Sequence, residues 1–162
     1  MARWLDRASV ASALAGGLVL LAAALLAGAS IVGRWLASAP IAGDIELMQV
    51  ACAVSIALFL PYCQMHAGHV RVDFFTQRAA VRTRRVLDRC GHAALALVML
   101  LLAWRAGVGV AEMKDAGETT MVLGVPTWLT YLAMVPGLLL SALVALRAVV
   151  AIPAEEARTG AP

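Results

Sequence analysis

His66 and His69 stand three positions apart, and Asp73 follows four positions later. On a helix this spacing aligns two imidazoles and a carboxylate, which would serve as three ligands of a metal ion. The trio lies just beyond an apolar run and has no thiolate beside it, so polar residues at a membrane exit are the stronger reading. His92 also lies at the edge of an apolar run, and no histidine occupies the middle of one. Paired-imidazole haem ligation across the membrane is therefore not expected. Cys52, Cys63 and Cys90 form no Cys-x-x-Cys pair; they read as small apolar side chains in a reducing environment. Two charges stand out. Arg105 falls within an apolar run, where it either contacts another subunit or a substrate path, or snorkels outward toward Glu112. Glu46 follows Pro40 and Gly43 at the head of another run, where a carboxylate stabilises unpaired N–H groups of a helix start. No further carboxylate lies within a run to relay protons, so a self-sufficient proton-coupled antiporter is not expected. No enzyme activity, metal or cofactor is expected in this chain.

The elements that position these residues are four apolar stretches, at 8–33, 45–63, 91–111 and 128–152. Each approaches or exceeds the roughly 20 residues that cross a hydrocarbon core of about 30 Å. With 162 residues, 62% of them hydrophobic and only 14% charged, little chain remains for a soluble domain. The predicted fold is an all-α integral membrane protein with four transmembrane helices in a single domain, residues 1–162. The first stretch superficially resembles a signal peptide, with Arg3 and Arg7 before it and Ala27-Gly28-Ala29 near its end. Its apolar run exceeds the roughly 7–15 residues of a signal core, so an uncleaved helix is expected.

Arginine placement predicts orientation. Arg3 and Arg7 precede the first stretch, Arg71, Arg78, Arg82, Arg84, Arg85 and Arg89 fill the central connection, and Arg147 and Arg158 lie near the carboxyl end. The other two connections hold only Arg34 and Lys114. Because cytoplasmic loops collect Lys and Arg, both termini and the central connection are expected in the cytoplasm. From 72 to 90 the central connection projects Phe75, Ala79, Val86 and Leu87 on one helical face and Arg78, Arg82, Arg85 and Arg89 on another. The pattern predicts an amphipathic helix lying in the interface, its guanidinium groups among anionic lipid phosphates. No aromatic platform accompanies the arginines, so nucleic acid is not an expected partner.

Pro126 and Trp128 open the last stretch, with Tyr131 behind them. Proline suits a helix entrance, and the aromatic residues suit the interfacial belt. Pro136 falls inside the same stretch and is expected to bend it, giving a surface for another protein or a local kink. Gly16-Gly17, Gly28 and Gly33 allow close helix approach.

Three segments resemble the small membrane subunit of tripartite ATP-independent periplasmic (TRAP) transporters, the DctQ-like family. Arg34 followed by Ile41-Ala-Gly-Asp-Ile-Glu46-Leu is similar to that family's entrance to the second span. His66-Ala-Gly-His69-Val-Arg71-Val-Asp73 resembles the segment after it, and Leu123-Gly-Val-Pro126-Thr-Trp128 with Pro136-Gly137 resembles the last span. The first outer connection lacks the aromatic-Asn pairing common in the family. The resemblance implies a non-catalytic scaffold subunit of a secondary-active importer of organic acids in the bacterial inner membrane. It implies two protein partners, a large elevator-type permease subunit and a periplasmic solute-binding protein, with sodium bound at the large subunit. Arg34, Glu46, His69, Asp73, Arg105, Glu112, Pro126, Trp128 and Pro136 are then expected in partner or structural contacts. A non-transport membrane adaptor and a haem- or quinone-linked membrane subunit are the competing classes.

Overall fold

A computed structural model describes residues 2–37, 41–67 and 81–159. They form four helices: α1 (Ala2–Ala37), α2 (Asp44–Ala67), α3 (Val81–Ala116) and α4 (Trp128–Thr159). Each contains a segment long and apolar enough to cross a membrane: Trp4–Leu36, Asp44–His66, Arg89–Ala116 and Trp128–Val150. The four expected transmembrane helices are present. At 36 residues each, α1 and α3 are about 54 Å long at 1.5 Å per residue, and so extend well beyond the hydrocarbon.

The separate interfacial helix expected over 72–90 is corrected by the length of α3. Residues 81–90 are the first turns of the continuous helix Val81–Ala116, and among the described residues no further helix lies between α2 and α3. Residues 72–80, with Arg78, lie outside the described residues. The sequence contains no reason for a break after residue 81. There is no proline before the span, and Gly91, the first glycine, costs a helix interior only about 1 kcal/mol. Alternation of arginine and apolar residues at helical period marks an amphipathic helix without saying whether its axis bends away from the span that follows.

The helices do not close around a common centre. Contacts run in the order α1–α2–α4–α3, so α2 and α4 are central and α1 and α3 are edges; α1 touches α4 only marginally. Buried positions along these seams are small. They include Ala23, Ala57, Ala96, Ala103, Ala142 and Ala145, together with Ser9, Ser30, Ser55 and Ser141. Lipid is as apolar as leucine, so helices associate in it through close packing and interhelical hydrogen bonds rather than by hiding apolar surface from water. Leucines accordingly face outward, among them Leu14, Leu18, Leu25 and Leu97. A compact cluster of Met99, Ala103, Leu138 and Ala142, with Leu60, Leu95 and Ala106 packed against it, joins α3, α4 and α2.

Glycines set the closest approaches. Gly16 of α1 lies against Leu58 and Ser55 of α2, where an added Cβ would stand 3.1 Å from Leu58 Cβ. Ser55 Oγ donates to the Gly16 carbonyl at 3.0 Å across this seam. Gly109 of α3 faces the Tyr131 ring of α4, again 3.1 Å from an added Cβ. The tightest seam is central: a Cβ on Gly137 of α4 would stand 2.7 Å from the Ala57 carbonyl carbon of α2. Pro61, fully buried within α2, explains the availability of this carbonyl. It has no N–H for the carbonyl four residues earlier, which is that of Ala57.

Candidate functional site at the loop end of the helices

The α1–α2 and α3–α4 connections share the end of the molecule opposite both termini, and the polar side chains the sequence singled out concentrate there. The first group begins with Ser30, buried in the last third of α1. Ser30 Oγ donates to Asp44 Oδ2 at 2.6 Å and accepts from the Ile41 N–H at 3.3 Å. Arg34 Nη2 reaches the same Asp44 oxygen at 3.4 Å, while Asp44 Oδ1 accepts from the Ile45 N–H at 2.8 Å. One carboxylate thus caps α2 and clasps it to α1, an arrangement favoured because the free N–H groups of a helix start attract negative charge.

Glu46 stands two residues further along the first turn of α2 and serves another element. Its Oε1 accepts the Val122 N–H at 2.9 Å, and its Oε2 accepts the Leu123 N–H at 3.1 Å. The sequence led us to expect this carboxylate on its own helix start; Asp44 takes that place, and Glu46 instead catches the α3–α4 connection. Gly43 makes room for the catch. Its φ of +80° is a backbone shape that side-chain-bearing residues avoid, and an added Cβ would collide with the Leu123 side chain, 2.8 Å from Cδ1.

The caught connection is a small hairpin rather than an open loop. The Thr120 N–H donates to Val125 O at 2.9 Å, and the Thr127 N–H to Glu118 O at 3.1 Å, with an antiparallel bridge between Thr119 and Pro126. Thr120 Oγ1 accepts from the Val125 N–H at 3.1 Å, and Gly124 turns the chain with a φ of +64°. Pro126 leads into the first turn of α4, where its carbonyl accepts from the Leu129 N–H at 3.2 Å. Trp128 is the first residue of α4, with Lys114 Nζ 5.9 Å above its ring, within cation–π range.

The remaining candidates are distributed more widely. Arg105 Nη1 bonds Glu112 Oε1 at 3.0 Å, two turns along the same helix. Its side chain is 70% exposed at the surface of the chain. Pro136 directly precedes Gly137 at the α2–α4 seam. At the opposite end Arg147 Nη1 approaches Asp6 Oδ1 at 3.6 Å, linking α4 to α1. His66 Nδ1 lies 3.1 Å from the Tyr62 carbonyl, with its ring stacked on Tyr62 at 4.1 Å. His69 and Asp73, the other two members of the trio that His66 would begin, lie outside the described residues. Among the described residues no three His, Cys, Asp or Glu side chains converge, and Cys52, Cys63 and Cys90 are free thiols. Arg82, Arg85 and Arg89 all belong to α3, and Arg89 is exposed.

Sequence reasoning passed over Ser30 and Pro61. A serine in an alanine-rich run gives no signal, because small residues line many transmembrane helices. Pro61 did give one: a proline inside an apolar stretch frees a carbonyl one turn back. The hairpin was equally hidden, since only Gly124-Val-Pro126 carries turn chemistry.

The two joined clasps fasten α1, α2 and the α3–α4 connection to one another at one end of the row. No curated protein matches the chain. The sequence profile described as "Tripartite ATP-independent periplasmic transporters, DctQ component" matches residues 23–152, which take in the second part of α1, all of α2 and α3, most of α4 and both clasps. The chain is therefore a multi-pass membrane protein and a non-catalytic transporter component, belonging to the DctQ family of tripartite ATP-independent periplasmic transporters.

Proposed function

We propose that the chain is the scaffold subunit of a secondary-active importer of an organic acid. In this reading it holds a large elevator-type permease subunit in the membrane, a periplasmic solute-binding protein delivers the substrate, and sodium binds at the large subunit. The observation that carries this reading is the open row of helices. Even in α4, the most enclosed span, only 33% of the apolar window is buried within the chain. The open row offers long apolar flanks to a partner, and it uses its own polar groups for fastening. The experiment is copurification of the large permease with the tagged chain, followed by receptor- and sodium-dependent uptake in proteoliposomes. A chain that brings down no permease, or a reconstituted complex that fails to carry its receptor's ligand, overturns the proposal; the first outcome is also what a non-transport adaptor would give.

The same reading places the chain in the bacterial inner membrane with both termini in the cytoplasm, supported by the arginine-rich start of α3. The clasped loop end then faces the periplasm. Arg78, Arg82, Arg85 and Arg89 hold that start of α3 at the anionic inner leaflet, each arginine near the surface adding on the order of 1 kcal/mol. Several share the task, so a single neutralisation has little effect. Normal assembly and uptake after all four are replaced by glutamine would remove this role, and a periplasmic location of either terminus in accessibility labelling would invert the orientation.

A further inference from the structure

The α3–α4 hairpin has a property that the fastening role does not use. Its tip points apolar side chains away from the protein: Met121 is 100% exposed and Val122 is 60% exposed, with Leu123 and Val125 partly so. From 119 to 127 the sequence reads Thr-Thr-Met-Val-Leu-Gly-Val-Pro-Thr, without a single charge. Acidic residues stand directly before it, at Glu112, Asp115 and Glu118. A solvated loop would have no reason to concentrate its large apolar side chains at the tip while its charges stay at the base.

The depth of the tip is fixed by its clasp. Val122 and Leu123 are held by Glu46, which lies in the first turn of the span Asp44–His66, and Trp128 marks the same level at the head of α4. Most backbone donors of the tip, the usual obstacle to placing a loop among lipids, already have partners in the protein. The amides of Val122 and Leu123 go to Glu46, Gly124 donates to Thr120 O, Val125 to Thr120 Oγ1, and Thr127 to Glu118 O; Pro126 has no amide to satisfy. Non-helical backbone is tolerated near hydrocarbon only when its donors have partners in the protein. The charge-free sequence, the depth and the largely paired amides favour lipid as the occupant of the exposed tip.

We propose that the hairpin is a lipid-inserted element, with Met121 and Val122 in the glycerol and upper acyl region of the leaflet at the loop end. The contact is apolar, so it does not depend on lipid charge. It pins the α3–α4 connection, and through Glu46 the start of α2, at a fixed membrane depth. This inference holds whichever side of the membrane the loop end faces, and it does not rest on the importer reading.

The test places a probe at the tip of the full chain. Met121→Cys is made in a background with Cys52, Cys63 and Cys90 replaced by alanine, and is labelled with an environment-sensitive fluorophore. Val122→Cys is the second site and Asp115→Cys the aqueous control. The chain is extracted with native lipid and its partners into polymer-bounded discs, then exposed to a lipid-soluble doxyl fatty acid or to aqueous iodide. Insertion predicts blue-shifted emission at 121 and 122, quenched by the doxyl lipid and not by iodide, with the reverse at 115. It also predicts the same pattern in discs of phosphatidylcholine alone and in discs enriched in phosphatidylglycerol. Iodide quenching at 121 and 122 would mean a solvated tip, and protection from both quenchers would mean a tip covered by protein. Either result overturns the proposal.

Discussion

Replacing Gly137 with alanine adds one methyl group where α4 meets α2. In an isolated helix this change favours folding by about 0.8–1 kcal/mol, because glycine has the greater backbone freedom to lose. Here the methyl carbon would stand 2.7 Å from the Ala57 carbonyl carbon and 3.1 Å from Leu58 N. Carbon atoms rest at about 3.5–4.0 Å, so the two backbones must part by about 1 Å, and a gap of that size forfeits roughly a quarter to a half of each contact's attraction. Neither neighbour is a side chain that can rotate away. Overpacking of this kind costs about 1–3 kcal/mol, and with rigid backbone on both sides the upper part of that range applies. The net effect is a loss of about 1–2 kcal/mol. The control is Gly107→Ala in α3, where an added Cβ meets nothing within 4 Å and only the gain in helix propensity remains. Reversible unfolding of the purified chain in mixed micelles, followed by circular dichroism, should lower the midpoint for Gly137→Ala and raise or preserve it for Gly107→Ala. Equal or greater stability of Gly137→Ala would refute the account of the central seam.

Other parts of the structure are open to similar checks. Glu46→Ala removes both acceptors of the hairpin, so the Val122 and Leu123 amides should exchange with deuterium faster than in the native chain, with Glu46→Gln intermediate; unchanged exchange at both would show that the clasp does not restrain the hairpin. Ser55→Ala removes the buried bond to the Gly16 carbonyl, and interhelical bonds of this type average about 0.6 kcal/mol in membranes with a maximum of about 1.7. The same unfolding assay should detect that loss, and no loss would mean that the Gly16 carbonyl gains nothing from the hydroxyl. Glu112→Gln leaves the Arg105 guanidinium without its counter-charge, so the double variant with Arg105→Gln should recover most of the folded yield lost by Glu112→Gln alone. Additive losses would show that the pair is not coupled.

The four spans were legible because length and apolarity suffice to mark a membrane crossing, and no packing detail is needed. Arg105 with Glu112 was legible for a related reason: a charge in an apolar run has few places to go, and a carboxylate seven residues onward lies within reach of a long side chain. The break expected between an interfacial helix and the third span was not real. Periodicity reports which side chains share a face, and residues 81–90 keep one face whether the axis continues straight or turns into the interface. The assignment of Glu46 depended on a contact 76 residues away in sequence. Its position near a helix start was correctly read, but Asp44 two residues earlier already occupied the capping role, and only the fold could show where the second carboxylate went. The order of packing was hidden for a more general reason. Amphipathic patterning identifies neighbours when water drives burial, whereas in lipid the seams are marked only by small residues, and this chain has alanine and glycine on nearly every face.

A row of four helices has no shared core to keep it in one shape, so each seam needs its own fastening. The chain supplies them near the ends of the helices. Asp44 ties α2 to Ser30 and Arg34 of α1, Glu46 ties α2 to the connection between α3 and α4, Lys114 of α3 covers Trp128 of α4, and Asp6 pairs with Arg147 between α1 and α4 at the other end. Polar contacts cost least there, because water and headgroups solvate the same charges in the unassembled state. Between those ends the seams rely on Gly16, Gly109 and Gly137, whose missing side chains let backbones approach. Apart from the exposed Arg105 on α3 and Gln49 on α2, the flanks are thereby left largely apolar. For the proposed support of a moving partner this division is consequential: a flank with few hydrogen-bonding groups can hold another protein chiefly through shape, while the fastenings that keep the row rigid stay near the helix ends and are not competed for when the partner moves.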